Sequence, residues 1–368
     1  MEIFKLIALL GLLVNCFTIE PIVDSTNIII IMLKKLFISF LILLLIAAGA
    51  IAYKVWTWQT MPLELSQEHI DFQIPRGSSV RTVADLLAKQ DVDVDPFIFT
   101  WYSRYTGQDK LLKAGAYEIK RGQTALDVLN MMASGDMSRR TILIVEGWTY
   151  KQIRAAIAAN SDIQQTLKET EDSEILQRLN VDPAITSLEG LLYPDTYVFV
   201  PGDSDFDIVR RAYTEGQKRL NKAWEQRQVD LPLKSPYEAL ILASIVEKET
   251  GHGEDRGKIA GVFTNRLNIK MPLQTDPTVI YGMGEKYQGR IRKVDLQTDT
   301  PWNTYTRNGL PPTPIASPGT LALEATLNPE QHKFLYFVSR GDGTSAFAEN
   351  LRDHNRNVQV YILKKGTP

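Results

Sequence analysis

Ser235–Thr250, S-P-Y-E-A-L-I-L-A-S-I-V-E-K-E-T, is the stretch from which the rest of the chain can be read. Ser235 suits an N-cap, Pro236 the first helical position and Glu238 the acid of a capping box. Ala239 to Val246 is almost wholly apolar, which predicts a helix buried on most faces. Gly251, with Gly253 just beyond, supplies the stop. Such a helix carries Glu247-Lys248-Glu249 to a place where charge is costly.

The two acids differ. Residues two apart on a helix point roughly 200° from one another, so Glu247 and Glu249 cannot share one cleft. Glu249 stacks over Val246, Ile245 and Leu242, whereas Glu247 stacks over the small Ala243 and Ser244. A carboxyl above large aliphatic groups is poorly solvated, and its pKa rises toward the range a general acid needs. Glu249 is therefore the expected working acid. The plain alternative is a pair of solvated charges at a helix end.

Composition narrows the classes. With 368 residues, 44% hydrophobic and 23% charged, the chain is globular with room for two or three domains. A formal charge of -2 gives no global basic field for nucleic acid. The single Cys16 lies near the N-terminus, so the body has neither disulfide nor thiolate metal site. Four scattered histidines (His69, His252, His332, His354) show no paired-ligand spacing, and neither metal nor cofactor is expected.

Leu36 to Tyr53 carries no formal charge, and as a helix its 18 residues reach about 27 Å, enough to span a bilayer. Lys34 and Lys35 precede it, and Trp56 and Trp58 follow as candidate interfacial anchors. A signal anchor with a cytoplasmic N-terminus and an external body is expected, a cleaved signal peptide at Ala50-Ile51-Ala52 being the lesser alternative. Residues 1–31, with a second apolar run at Leu6–Val14, read as a doubtful leader ahead of a natural start at Met32.

A repeat follows. Phe72-x-Ile74-x-x-Gly77-x-Ser79-x-x-x-Val83 is echoed at Tyr117 to Val128 and, more weakly, at Ile142 to Ile153. Each copy predicts a short strand, a Gly turn, a Ser/Thr cap and an amphipathic helix. Such βα units resemble the glycan-binding LysM type, and a generic packing unit is the equal alternative. Ser161 to Asp182 reads as a polar helical connection. In Glu189 to Phe199, Tyr193, Tyr197 and Phe199 alternate about Pro194-Asp195, suiting either the wall of a sugar groove or an aromatic core strand. Asp203 to Gln228 and Asp255 to Leu267 predict further helices.

The densest polar stretch runs from Met271 to Gly282 and continues at Asn303-Thr304-Tyr305 and Gly309 to Ile315. Amides, hydroxyls and carboxylates on Pro-stiffened loops suit recognition of a hydroxyl-rich polymer, and also ordinary turns. Leu335 to Val338 and Ala346 to Ala348 read as a hairpin about Gly341-Asp342-Gly343, before an amphipathic helix at 350–364. The expected organisation is 32–56 cytoplasmic N-terminus and anchor, 68–158 LysM-like repeats, 159–234 connecting region and 235–368 catalytic core.

A-S-I-V-E-K-E-T at 243–250, L-Q-T-D-P-T-V-I-Y-G at 273–282, N-T-Y at 303–305, G-L-P-P at 309–312 and E-G-L-L-Y-P-D-T-Y at 189–197 occur in one order. In these strings the chain resembles the endolytic murein transglycosylase (YceG-like) family, from Lys34 to the C-terminus. The resemblance implies an α+β fold: a transmembrane helix, a LysM-like subdomain and a YceG-like catalytic domain. It implies a single-pass inner-membrane enzyme facing the periplasm that cuts nascent peptidoglycan strands beside the wall synthases. Its catalytic glutamate maps to Glu249, which would protonate the MurNAc–GlcNAc oxygen and then deprotonate the muramyl 6-hydroxyl to leave a 1,6-anhydro end. Gln274, Asp276, Tyr281, Asn303, Tyr305 and Tyr193 would bind the glycan. Glu247 and Glu254 stand as possible second acids, and Asp276 lies in a flanking segment that could also approach Glu249, which keeps a two-carboxylate muramidase open. A non-catalytic wall-binding scaffold is the other reading.

Overall fold

The computed structural model describes residues 25–90, 92–250 and 253–363. Leu6–Val14, Cys16, Gly251, His252 and Lys364 therefore lie outside the described residues. The chain divides into two compact units, Met1–Asp136 and Met137–Pro368.

The first unit begins with α1 (Ser25–Thr60), 36 residues or about 54 Å of helix. No proline interrupts it, and it runs straight through Lys34 and Lys35, so it exceeds the expected span at both ends. From Ile30 onward its long apolar side chains stand exposed until the last turns. There one expectation is corrected: Trp56 is open, but Trp58 is only 8% exposed. It packs within the unit, against Phe99 and Tyr102.

Beyond α1 come β1 (His69–Ile74), α2 (Val80–Lys89), α3 (Pro96–Thr106) and β2 (Gly115–Lys120), followed by α4 (Ala125–Ser134). The strands pair antiparallel with Phe72 opposite Tyr117. Alternation places Phe72, Ile74, Tyr117 and Ile119 inward against Val83, Leu87, Phe99, Val128 and Leu129. Ser79 caps α2, Asp95 caps α3, and Thr124 with Asp127 forms a capping box on α4.

The third copy of the repeat, expected to group with the other two, belongs to the second unit. Its strand β3 (Arg140–Leu143) pairs antiparallel with β4 (Thr196–Phe199), and its Thr149 caps α5 (Tyr150–Ala158). The inward aromatics of β4 explain the pairing. Tyr197 and Phe199 are buried, in the same core as Ile142 and Ile153, so this segment is a core strand and not a groove wall.

Ser161–Asp182 is helical only over α6 (Asp172–Arg178). The buried Asp205 accepts hydrogen bonds from the amides of Thr166 and Leu167, each at 2.9 Å, and so holds the preceding stretch as a turn. Next come α7 (Asp205–Glu225), α8 (Pro236–Glu249), α9 (Gly253–Asn268), α10 (Asp276–Met283), α11 (Lys293–Gln297) and α12 (Thr320–Leu327). The hairpin β5 (Tyr336–Ser339) and β6 (Ser345–Ala348) precedes α13 (Leu351–Tyr361). The end of the Met271–Gly282 stretch is thus helix rather than loop, with Pro277 in its first turn.

Helix α8 is the axis of this unit. Ala239 through Val246 are all buried, and α7, α9, α10 and α12 pack around them. Ser235 accepts the Glu238 amide, while Glu238 closes on the amide of Lys234 rather than that of Ser235. An eight-residue stretch buried on every face leaves the C-terminal end of α8 as the place where polar side chains can reach a surface.

Candidate active site

Glu249 is the last residue of α8 and is half-buried. Burial pushes its carboxyl up to about 7; the nearby Asp276 charge adds to the rise, while a Thr275 hydrogen bond and the Arg266 charge oppose it. The Thr275 hydroxyl donates to Glu249 Oε1. Thr275 is itself fixed, 2% exposed, with its amide donating to Thr304 Oγ1 at 3.1 Å. Thr278 Oγ1 stands 2.9 Å from that same Thr304 hydroxyl, so three threonines form one buried chain.

The turn that delivers Thr275 is strained. Gln274 has φ 48 and donates its amide to the carbonyl of Thr304 at 3.1 Å, leaving its side chain exposed. Arg266 of α9 holds the stretch just before it. The residue is 7% exposed, and its guanidinium donates to the carbonyls of Leu335, Pro272 and Leu273 at 2.6, 3.2 and 2.7 Å. Its charge acts on Glu249 across this scaffold.

Of the residues expected to bind substrate, Asp276 and Tyr305 are brought to the acid. Tyr305 donates its phenolic hydrogen to Asp276 Oδ1 at 2.6 Å, and burial with the adjacent Asp276 raises the pKa of that phenol. Asp276 is exposed, so this pair edges the half-buried carboxyl on its open side. Asn303 is placed otherwise. It is 1% exposed, and its amide donates to the carbonyls of Leu296 and Thr298 while its oxygen accepts the Tyr305 amide. With these groups committed, Asn303 builds the loop that presents Tyr305. Tyr193 is hydrogen-bonded to Thr320 and lies under Arg219, with its contacts on α7 and α12.

The possible second acids separate as well. Glu247 is half-buried and accepts the Gly319 amide at 3.0 Å, on the side of the segment leading into α12. Burial raises its pKa, the Gly319 bond lowers it, and Glu146 raises it further. Glu254 is exposed in the first turn of α9. The carboxylate whose charge acts on Glu249 is that of Asp276.

Tyr281 leads to an acid that sequence reading passed over. Its hydroxyl donates to Glu189 Oε2 at 3.0 Å, and its ring meets Trp302 edge to face at 5.4 Å. Glu189 is 4% exposed and takes the Tyr150 amide on its other oxygen at 2.9 Å, so both these donors are neutral. Burial drives its pKa up to about 7 against the lowering effect of those bonds. Gly190 beside it has φ 75, and a Cβ there would stand 2.4 Å from Pro314 Cβ, so only glycine fits. The sequence signal was a charged residue entering the apolar run Gly190-Leu191-Leu192.

A raised carboxyl pKa means that the folded state holds the proton more tightly than the unfolded chain. Its stabilising effect is complete below the unfolded value, near 4.5, and is lost as pH rises through about 7. For Glu189 this amounts to about 3 kcal/mol at most. Melting curves of Glu189→Gln from pH 5 to 8 are expected to fall less steeply than those of the parent chain. Parallel curves would show that Glu189 is ionised throughout.

An α+β scaffold that sets a carboxyl of raised pKa at the end of a buried helix, with polar groups at its open edge, is that of a general-acid enzyme. Residues 72–360 match the YceG-like family, and the chain belongs to that family. An endolytic murein transglycosylase of Bacillus subtilis is 34% identical over 317 residues, covering 82% of this chain and 87% of that protein. One of the same name from Streptococcus pneumoniae D39 is 29% identical over 367 residues, 90% of this chain and 66% of that protein. The crystal structure of a YceG-like protein of Listeria monocytogenes, 33% identical, aligns over 79% of this chain and 99% of its own with TM-score 0.52.

Proposed function

We propose that this chain is an endolytic lytic transglycosylase of peptidoglycan, held to the inner membrane by α1 with its catalytic unit in the periplasm. Glu249 protonates the glycosidic oxygen between N-acetylmuramic acid and N-acetylglucosamine. As a carboxylate it then removes the proton of the muramyl 6-hydroxyl, whose oxygen closes on C1. The C1–O4 bond breaks, the leaving sugar keeps the first proton, and the new end is 1,6-anhydro. Cutting nascent strands in this way limits their length beside the synthases that extend them. The observation that carries the reading is the half-buried Glu249 carboxyl at the end of α8, oriented by the Thr275 hydroxyl and with its pKa raised by burial.

Asp276, with Tyr305, supports the developing positive charge on the sugar from the open side. The exposed Gln274 side chain and the Tyr281–Trp302 pair are available to the N-acetyl groups and sugar faces. The β1-α2-α3-β2 arrangement fits a LysM-like wall-binding module. Mass spectrometry of digested strands tests the reaction: 1,6-anhydromuramic ends are expected. Reducing ends would instead favour a hydrolase with Asp276 as its second carboxylate, the one acid whose charge reaches Glu249.

Because Glu249 acts first as an acid, kcat/KM is expected to fall as pH rises through about 7. The Thr275 hydroxyl stabilises the charged carboxylate, so Thr275→Val should raise that pKa and move the alkaline limb up by about one pH unit. An unmoved limb would detach Thr275 from the acid.

A further inference from the structure

Helix α3 turns three large aromatic side chains outward. Phe97 and Tyr105 are each 78% exposed and Trp101 is 48% exposed. Spaced by four, they form one stripe on the helix, and the Trp101 and Tyr105 rings stack at 5.4 Å with planes 6° apart. A soluble surface rarely carries such a stripe without a partner.

The position of α3 within its unit indicates what covers the stripe. Trp58, near the end of α1, packs against Phe99 and Tyr102 of α3 at 6.0 and 5.0 Å. Lys54, Thr57 and Trp58 of α1 line one cavity together with Asp95 and Ile98 at the start of α3. If Leu36–Tyr53 fills the hydrocarbon core, Lys54 to Trp58 rises only about 1.5 to 7.5 Å above it. The headgroup layer on each side is about 5 to 7 Å deep, which puts the part of α3 packed beside Trp58 at headgroup level. Trp and Tyr partition to that zone, where a flat ring meets lipid and a polar edge meets water. Asp95 Oδ1 accepts both the Phe97 and the Ile98 amide as the cap of α3.

We propose that α3 is an interfacial helix, with Phe97, Trp101 and Tyr105 seated among phospholipid headgroups beside the point where α1 leaves the bilayer. The proposal rests on α1 being a membrane anchor. It makes the first unit a collar fixed on the membrane surface instead of a domain swinging freely on a tether, and a chain of bases stacking on the stripe or a glycan strand is then not its occupant.

Spin labelling of the full chain in phosphatidylethanolamine/phosphatidylglycerol vesicles tests it. In a Cys16→Ser background, nitroxides at Phe40→Cys, Tyr105→Cys and Val229→Cys report hydrocarbon, stripe and open water respectively, since Phe40 lies in the span and Val229 is 89% exposed. The expected result is label 105 relaxed by oxygen several-fold more, relative to a water-soluble nickel chelate, than label 229. Phe97→Ser with Trp101→Ser should return label 105 to the value at 229. If label 105 matches 229 while label 40 is deep, the interfacial helix is refuted and the anchor stands. If label 40 is also in water, the anchor reading falls and takes the proposal with it. Immobilisation of a water-exposed label 105 by added glycan strands would overturn the lipid assignment in favour of glycan.

Discussion

Glu249→Gln is expected to lower strand cleavage by about 10³-fold or more, because it removes the only proton donor in the proposed reaction while preserving shape. The amide oxygen can still accept the Thr275 hydroxyl, so the fold should persist. Its melting temperature should be unchanged or slightly raised near pH 8, since a carboxyl that is costly to ionise in its enclosure has been replaced by a neutral group. Glu247→Gln is the matched control. Glu247 holds the Gly319 amide on the other side of α8, and its loss should be felt in stability more than in cutting. Cleavage assays on purified glycan strands, read with melting curves of both variants, decide the matter. Full cleavage by Glu249→Gln, or its loss in Glu247→Gln alone, would move the proton donor to another residue.

The distinction between those acids was legible because it depends on helix geometry alone. A cap at Ser235 and a run of eight buried residues fix which positions share a face, and two residues of separation put the acids on opposite sides. The same locality explains the repeat. Gly77, Gly122 and Gly147 all have positive φ, and Ser79, Thr124 and Thr149 all cap the following helix. Pairing was not legible, because it depends on which strand lies alongside. β3 has the same local signals as β1 and β2, yet it pairs with β4 across more than fifty residues of chain.

Polarity misled in a similar way. Asn303 looked like a ligand-binding amide on a loop, but three nearby backbone groups take up its side chain, and a buried amide must satisfy its own loop before it can serve a substrate. Tyr197 and Phe199 suited either stacking on sugar or, somewhat better, filling a core, and their burial decides for the core. Thr275, Arg266 and Glu189 went unremarked because each acts through a partner that is distant in sequence: Thr275 on Glu249, Arg266 on Leu335, Glu189 on Tyr150 and Tyr281.

Arg266→Met is expected to destabilise the second unit by about 3 to 5 kcal/mol, because it removes charge-assisted bonds and strands carbonyl groups away from water. The flexible methionine can fill much of the space of the arginine stem, so the loss measures polar satisfaction more than cavity volume. For a unit of this size the shift should be about 6 to 20 °C in melting temperature. Arg292→Met is the contrast: its guanidinium is largely exposed and pairs with Asp295 three residues away, so its loss should leave the melting temperature nearly unchanged. Below the melting point, Arg266→Met should also cut poorly, because the carbonyls of Pro272 and Leu273 lead directly into the strained Gln274 turn that sets Thr275 against Glu249. Thermal melts of both variants, with cleavage measured well below the lower transition, separate the two effects. Equal melting temperatures for Arg266→Met and Arg292→Met would mean that the three carbonyls find other donors, and the turn beneath the acid would not depend on Arg266.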